Sequence, residues 1–176
     1  PPSDGFTHQT KTNKHKNKNS MNNELDPLAM PAGDLAEPSF PVLCEGIKRM
    51  VIRGLEEKAG ESKTDGKPYK QLVITLATTK DDTSAEGQPL SAGFAFNASI
   101  FLTPNERNTA TQIAEQAAMP VKAALGRTTK TTMRQCVENP SLLVGQVVDV
   151  KIGVRKAKEG SGYGDSNVVK SWIIPA

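Results

Sequence analysis

The amino-acid sequence predicts a small, mainly β domain with one long helix, and three observations lead to this fold class. In residues 91–126 the apolar residues recur first with a period of two and then with a period of 3.6, so a strand is followed by a helix. Two strand-like segments precede the stretch and two follow it. The chain has 176 residues, enough for one domain whose core needs neither disulfides nor a metal. The predicted element order is therefore β-β-β-α-β-β.

The first predicted strand runs from about Ile47 to Leu55. Its alternation is imperfect, because Ile47, Val51 and Leu55 share one predicted face while Met50 and Ile52 share the other. Strands that are apolar on both faces are usually central or strongly coiled. We therefore expect this strand to lie in the middle of the sheet.

The second predicted strand covers residues 69–79 and alternates more cleanly. A polar loop over residues 56–68, with Asp65 and Gly66 as its turn, separates it from the first strand. The predicted outward positions of this strand are polar or small, with one valine. Its predicted inward residues are Leu72, Ile74 and Leu76.

The third predicted strand, with Phe94 and Phe96 in the core, ends where the long helix begins. Thr103 to Glu106 has the pattern of a capping box, in which the first and fourth residues satisfy each other's backbone amides. Gly126 is suited to end the helix, since glycine adopts positive φ without strain. The predicted core positions of the helix are Ile113, Ala117, Val121 and Leu125.

The last two predicted strands follow a polar run after Gly126, which is ambiguous between a loop and a short helical turn. Residues 146–156 have the most regular alternation in the chain, and residues 168–174 form the fifth strand, with Trp172 in the core. This order is that of the OB-fold, a five-stranded Greek-key barrel. An open five-stranded sheet packed on one helix gives the same order, so both architectures stay open.

The net charge of +3 is concentrated near the start of the sequence. Residues 1–20 contain four lysines against one aspartate, whereas residues 38–176 contain 18 basic and 14 acidic residues, a net charge of +4. We predict that residues 1–20 are a disordered basic tail or a non-native leader, residues 21–40 an extended proline-rich lead-in, and residues 41–176 the domain. For residues 1–20 we favour a leader or translated non-coding sequence, because Met21 begins an ordinary N-terminal sequence.

No catalytic or metal site is expected, and no cofactor is predicted. His8 and His15 both lie in the tail, so the domain lacks the commonest general base and metal ligand. Cys44 and Cys136 do not have metal-ligand spacing, and two half-buried thiols in a reducing compartment are the simplest interpretation. The chain has neither an apolar run of spanning length nor a signal peptide, which favours a cytoplasmic protein without membrane contact.

The remaining candidate is a nucleic-acid-binding face. In an OB-fold the loops between strands one and two and between strands four and five flank the ligand groove. Here both loops combine cations with a tyrosine, and single strands are bound by cations that contact phosphates and by rings that stack on bases. For Tyr163, stacking on a base and packing within its loop both stay open. The candidate residues are Lys58, Lys63, Lys67, Tyr69, Lys70, Arg155, Lys156, Lys158 and Tyr163.

Several segments resemble small phage-encoded single-stranded-DNA-binding or recombination-accessory proteins of OB type. They include L-V-I-T-L-A-T-T in strand two, I-F-L-T-P before the helix, L-L-V-G-Q-V-V-D-V-K-I in strand four and Y-G-D-S-N-V-V-K-S-W at the end. The resemblance covers roughly residues 40–175. It implies a non-catalytic protein of phage DNA replication or recombination, located in the host cytosol, that binds single-stranded DNA and replication or recombination proteins. A homo-oligomer also stays open.

The alternative interpretation is a structural protein of the virion, such as a capsid decoration or a tail component. The proline-rich residues 22–41 and the zero net charge of residues 21–176 motivate it. Many single-strand binders of this kind end in an acidic tail, whereas this sequence ends in S-W-I-I-P-A. Recruitment of partners through the C-terminus is therefore not expected.

Overall fold

The computed structural model describes residues 41–62, 66–158 and 164–176. These residues form a mainly β structure with one five-stranded antiparallel sheet and one long helix, as predicted. The strands are β1 (Gly46–Glu61), β2 (Pro68–Thr78), β3 (Asp82–Thr83), β4 (Pro89–Leu90), β5 (Ala95–Phe101), β6 (Val147–Arg155) and β7 (Ser166–Ile173). The helices are α1 (Ala110–Leu125) and α2 (Met133–Glu138), followed by a 3-10 turn at Pro140–Leu142.

The predicted order β-β-β-α-β-β is wrong, because the structure contains additional short elements. The sheet has the order β5-β2-β1-β6-β7, and β3 and β4 pair separately as a short hairpin inserted between β2 and β5. The Ser84 hydroxyl accepts hydrogen bonds from the Glu86 and Gln88 amides, which closes this turn. A second helix follows α1, where Thr132 and Gln135 form a capping box. The sequence of this capping box lies in the polar run after Gly126, which was ambiguous between a loop and a short helical turn.

One face of the sheet carries the core and packs against α1 and α2. The inward residues predicted for β2 and β6 pack in the core, but Val73 of β2, which was predicted to lie outside, is buried as well. The core-facing residues predicted for α1 are buried except Leu125, which is half-buried. Phe94, Phe96 and Trp172 pack partly buried against the same cluster, which confirms their predicted core position. The largest fully buried side chains in the strands are Met50, Ile52, Leu72, Ile74, Leu76, Val150 and Ile152.

The imperfect alternation of β1 is caused by a β-bulge. Ile52 pairs with Leu76, but Gly54 pairs with the adjacent Thr75, so Arg53 is an extra residue without a partner on β2. An extra residue reverses which positions point inward. Leu55 therefore packs against the core with Ile52, and its predicted place on one face with Ile47 is wrong.

Helix α1 begins seven residues after Thr103, so the predicted capping box at Thr103 is also wrong. The Thr103 hydroxyl instead accepts a hydrogen bond of 2.9 Å from the Lys70 amide of β2, and this fixes it to the sheet. Thr109 is the N-cap, and it exchanges hydrogen bonds with Gln112. The helix ends as predicted at Gly126, which has a φ of 94°.

The two cysteines differ in burial, and neither forms a disulfide. Cys44 is half-buried, whereas Cys136 is buried in the core, and this burial raises the pKa of the Cys136 thiol. Within the described ranges, no helix has both the length and the apolar character needed to cross a membrane.

Candidate functional site

Tyr69 and Phe101 form an aromatic pair at one end of the sheet. Their ring centroids are 5.9 Å apart, and the rings meet edge to face at 68°. Phe101 is 53% exposed, although large apolar side chains are usually buried. Gly60 lies opposite Tyr69 on β1, and a Cβ at Gly60 would lie only 2.9 Å from the Tyr69 hydroxyl. Glycine therefore allows the tyrosine ring to lie over the neighbouring strand.

A cavity of about 720 Å³ opens beside this aromatic pair. Lys67 reaches it from the β1–β2 hairpin, and Arg107 reaches it from the segment between β5 and α1. Its apolar walls come from the two rings and two prolines. A cavity with aromatic faces and cations at its margin is suited to an unpaired base joined to a phosphate.

Hydrogen bonds of Asn105 fix the backbone of the segment that carries Arg107. The Asn105 carboxamide oxygen accepts hydrogen bonds of 2.9 Å from the amides of Arg107 and Asn108, and the Asn105 amide donates to the Asn108 carbonyl. The Leu102 amide joins the same segment to β2 through the Lys70 carbonyl. The backbone at Arg107 is thus positioned before any ligand binds.

The remaining cations predicted around the first loop are less closely gathered. Lys58 lies on β1, and its ammonium is 3.2 Å from the Glu56 carboxylate, so its charge is partly neutralised. Lys70 is exposed on β2 next to Tyr69. Lys63 lies outside the described residues.

The predicted cations of the second loop are divided between an ion pair and the sheet edge. Lys156 donates a 2.7 Å hydrogen bond to Asp165, which raises the pKa of Lys156 and lowers the pKa of Asp165. Lys158 is exposed, and Arg155 ends β6. Tyr163 lies outside the described residues.

A second cavity, of about 400 Å³, lies between the two outer strands of the sheet. In the described part of the chain, β5 and β7 are the outermost strands of the sheet order, and residues of both strands line this cavity. Arg155 and Trp172 contribute to it, and so does Phe101, which also lines the first cavity. The two cavities therefore adjoin at Phe101.

The outward face of β5 supplies polar groups beside the aromatic pair. Asn97 and Ser99 are exposed, and the Thr75 hydroxyl of β2 donates a 2.9 Å hydrogen bond to the Asn97 side chain. We define the β5 surface as the outward face of β5 together with the two adjoining cavities. Its aromatic and cationic residues are Tyr69, Phe101, Trp172, Lys67, Arg107 and Arg155.

The structure thus brings only part of the predicted set together. Lys67 and Tyr69 line the first cavity and Arg155 the second. Four predicted cations are not among the described residues that line either cavity: Lys58, Lys70, Lys156 and Lys158. The strand register explains this separation. The β1–β2 hairpin follows Glu61 at one end of β1, while β6 extends past Gly46 at the other end. The predicted role of each residue in nucleic-acid binding stays a prediction.

Two residues of the β5 surface were missed in the sequence, Phe101 and Arg107. Phe101 follows Ala95, Asn97 and Ser99 on the outward side of the alternation, and a large aromatic residue at such a position is a signal for a binding surface. The position of Arg107 depends on the late helix start, which the sequence pattern did not predict.

The described residues contain no group of three or more histidine, cysteine, aspartate or glutamate side chains arranged to hold a metal ion. A scan against protein-family models finds no match to the chain, and a search of curated proteins also finds none.

Proposed function

We propose that this protein is a non-catalytic binder of single-stranded DNA that uses the β5 surface, and that it acts in phage replication or recombination. The observation that carries the proposal is that cations from two distant parts of the chain line cavities that adjoin at the exposed ring of Phe101. Bases of a single strand stack on aromatic rings at about 1–3 kcal/mol each, while cations contact the phosphates.

We infer further that the sheet is a partly open barrel of OB type. Two observations support this inference. The first and last strands of the sheet order, β5 and β7, border one cavity, as expected when a sheet curls until its edges approach. The bulge in β1 supplies a bend of the kind that lets one strand belong to both halves of a barrel. In such barrels the face of the second and third strands binds oligonucleotides.

A substitution at Phe101 tests the proposal. Phe101→Leu keeps the apolar bulk but removes the aromatic face, so affinity for a labelled single-stranded oligonucleotide is expected to fall roughly 5- to 150-fold, the equivalent of one lost base stack. Phe101→Trp keeps the stacking face and is expected to retain affinity. Fluorescence anisotropy measures both variants beside the unaltered protein.

The salt dependence of binding tests whether the cations of the β5 surface contact phosphates. Each phosphate contact contributes about −0.7 to the slope of log affinity against log salt for a single strand, so Arg155→Ala is expected to reduce the slope by about that amount. Arg53→Ala, at the exposed bulge of β1, is the matched control and is expected to leave the slope unchanged. Absence of binding at low salt, or equal affinity for single strands and duplex, contradicts the proposed function.

A further inference from the structure

The second cavity, between β5 and β7, extends from the surface towards the core. Asn97, Ser99 and Phe101 line it from the outward face of β5, and all three are exposed. Ala98 and Trp172 also line it, although Ala98 belongs to the core cluster and Trp172 packs against that cluster. Its volume of about 400 Å³ lies within the range of roughly 300–1,000 Å³ that is typical of small-ligand sites. We call this cavity the β5–β7 slot.

The β5–β7 slot differs in charge from the other cavities. Arg155 is the one charged residue among the described residues that line it, and no aspartate or glutamate does so. Four other cavities in the described part of the chain each have at least one carboxylate in their lining. Arg155 has no ion-pair partner among the described residues, whereas the neighbouring Lys156 is paired with Asp165. The slot is therefore suited to a ligand that carries negative charge.

The side chains of the slot offer mainly hydrogen-bond donors. The Asn97 carboxamide oxygen accepts a hydrogen bond of 2.9 Å from the Thr75 hydroxyl, so its amide group is left to donate. The Asn167 carboxamide is occupied at both ends by the backbone of Leu43, at 2.8 and 3.0 Å. Asn97 and Arg155 therefore match a ligand rich in acceptors, and a nucleotide supplies these on its base and its phosphate.

The backbone of β5 adds donors beside the slot. At the end of β5 the Leu102 amide donates to the Lys70 carbonyl of β2, and the register between the two strands is unbroken. Alternate residues of an antiparallel strand direct their backbone groups to opposite sides. The backbone groups of Asn97 and Ser99 are therefore directed away from β2, towards the edge of the sheet that borders the slot.

Trp172 contributes an aromatic side chain to the slot, and it is the only tryptophan in the sequence. It is half-buried, whereas Arg155 is exposed. A base that enters the slot meets the tryptophan ring, while its attached phosphate stays near the arginine. Unpaired bases stack on aromatic rings, whereas a base in a duplex must first leave its pair.

We propose that the β5–β7 slot binds one nucleotide of the single strand, with the base between the edges of β5 and β7 against Trp172 and the phosphate at Arg155. The inference rests on the proposed function and adds to it the place where a base is inserted. A strand that crosses only the outer surface would stack on Phe101 without contacting Trp172.

The fluorescence of Trp172 tests the insertion, because no other tryptophan contributes to it. Titration of the full chain with an oligothymidylate is expected to quench this fluorescence with the same midpoint as the change in anisotropy of the labelled strand. An oligonucleotide of equal length built from abasic nucleotides keeps the phosphates but has no bases to insert. It is expected to leave the fluorescence nearly unchanged.

A substitution at Ser99 blocks the slot without altering Trp172. Ser99→Leu places an apolar side chain in the slot from an exposed position of β5, so we expect it to remove the quenching and to lower affinity roughly 5- to 150-fold, the equivalent of one lost base stack. Ala95→Leu is the matched control, because Ala95 is exposed on the same face of β5 but does not line the slot. It is expected to leave quenching and affinity unchanged.

The outcomes separate this inference from the proposed function. Binding that requires Phe101 but neither quenches Trp172 nor weakens in Ser99→Leu overturns the slot and leaves the proposed function standing. Equal quenching by the abasic strand also overturns base insertion. Absence of any binding to single strands overturns both.

Discussion

Lys48 carries a charge that is largely enclosed by the fold. Its ammonium lies 2.6 Å from Asp82 and 3.1 Å from the Cys44 sulfur, and the lysine and aspartate side chains are 14% and 15% exposed. Gly46, with a φ of 140°, bends the chain so that Cys44 and Lys48 meet. Burial is the largest single effect and opposes both charges, yet the hydrogen bonds and charge attractions together outweigh it, so the pKa of Lys48 is raised and the pKa of Asp82 is lowered.

We predict that Lys48→Met lowers the free energy of unfolding by about 1–3 kcal/mol at pH 7, because it leaves the Asp82 carboxylate without its cation. The folded-state pKa of Asp82 lies below its ordinary value of 3.8. Its contribution is therefore present above that value and is lost as the pH falls through the folded-state pKa. Urea denaturation at pH 7 and near pH 3 measures the difference between wild type and variant, which is expected to shrink in acid.

Lys170→Met is the matched control for this ion pair. Lys170 lies 3.5 Å from Glu45, and both side chains are about half exposed, so its removal is expected to change the free energy of unfolding by less than about 1 kcal/mol. A Lys48→Met effect of the same size at both pH values contradicts the assignment to Asp82.

The sequence identifies residues of the β5 surface only where the residue types alone indicate a binding surface. Tyr69 and Lys67 were predictable, because an aromatic residue and cations stand together in a glycine-containing loop. Lys156 was not excluded in advance, since its neutralisation requires contact with Asp165, nine residues later in the chain.

The beginning of helix α1 depends on a choice between two threonines. Both Thr103 and Thr109 are followed three residues later by Glu or Gln, so each has the pattern of a capping box. Contact with the sheet selects Thr109, because the Thr103 hydroxyl already accepts a hydrogen bond from the Lys70 amide. Local sequence therefore supplies two equivalent signals, and a contact 33 residues distant in the chain selects one of them.

We predict that Thr109→Ala lowers the free energy of unfolding by about 1 kcal/mol, because the first turn of α1 loses its cap. Glu106→Ala, which would break the rejected capping box, is the control and is expected to have an effect of less than about 0.5 kcal/mol. Thermal or urea denaturation measures both variants. A larger effect at Glu106 than at Thr109 contradicts this helix boundary.

Regular strands were predicted almost to the residue, whereas bulged strands were not. The alternation in β2 and β6 is unbroken where it faces the core, so their inward faces follow directly from the period of two. In β1 the extra residue Arg53 reverses which positions face the core, and no residue type in the sequence indicates this bulge. The second bulge, between β6 and β7, has the same effect, since Val169 and Trp172 both pack against the core although they are three residues apart.

For the molecule as a whole, the curl of the sheet decides which distant residues become neighbours. β5 and β7 approach each other without pairing, so that Phe101 on β5 and Arg155 at the end of β6 line the same cavity. The sequence predicts each strand of the five-stranded sheet but not this curl, which depends on accumulated twist and on the bulges. Both loops were therefore predicted to flank one groove, whereas only Lys67, Tyr69 and Arg155 of the predicted set line the two adjoining cavities.

Hydrogen exchange should show where a single strand binds. We predict that a single-stranded oligonucleotide slows amide exchange in β5 and at residues 103–107, because the ligand excludes water from open edge groups. Exchange at residues 46–51 and 147–151 is expected to stay unchanged, because these segments pair with each other in the two inner strands β1 and β6.

Phe101→Leu is expected to reduce the oligonucleotide-dependent slowing, because Phe101 lines both cavities of the β5 surface. Slowing that the variant retains in full, or slowing at residues 46–51 and 147–151 in place of β5, would assign DNA binding to another surface of the protein.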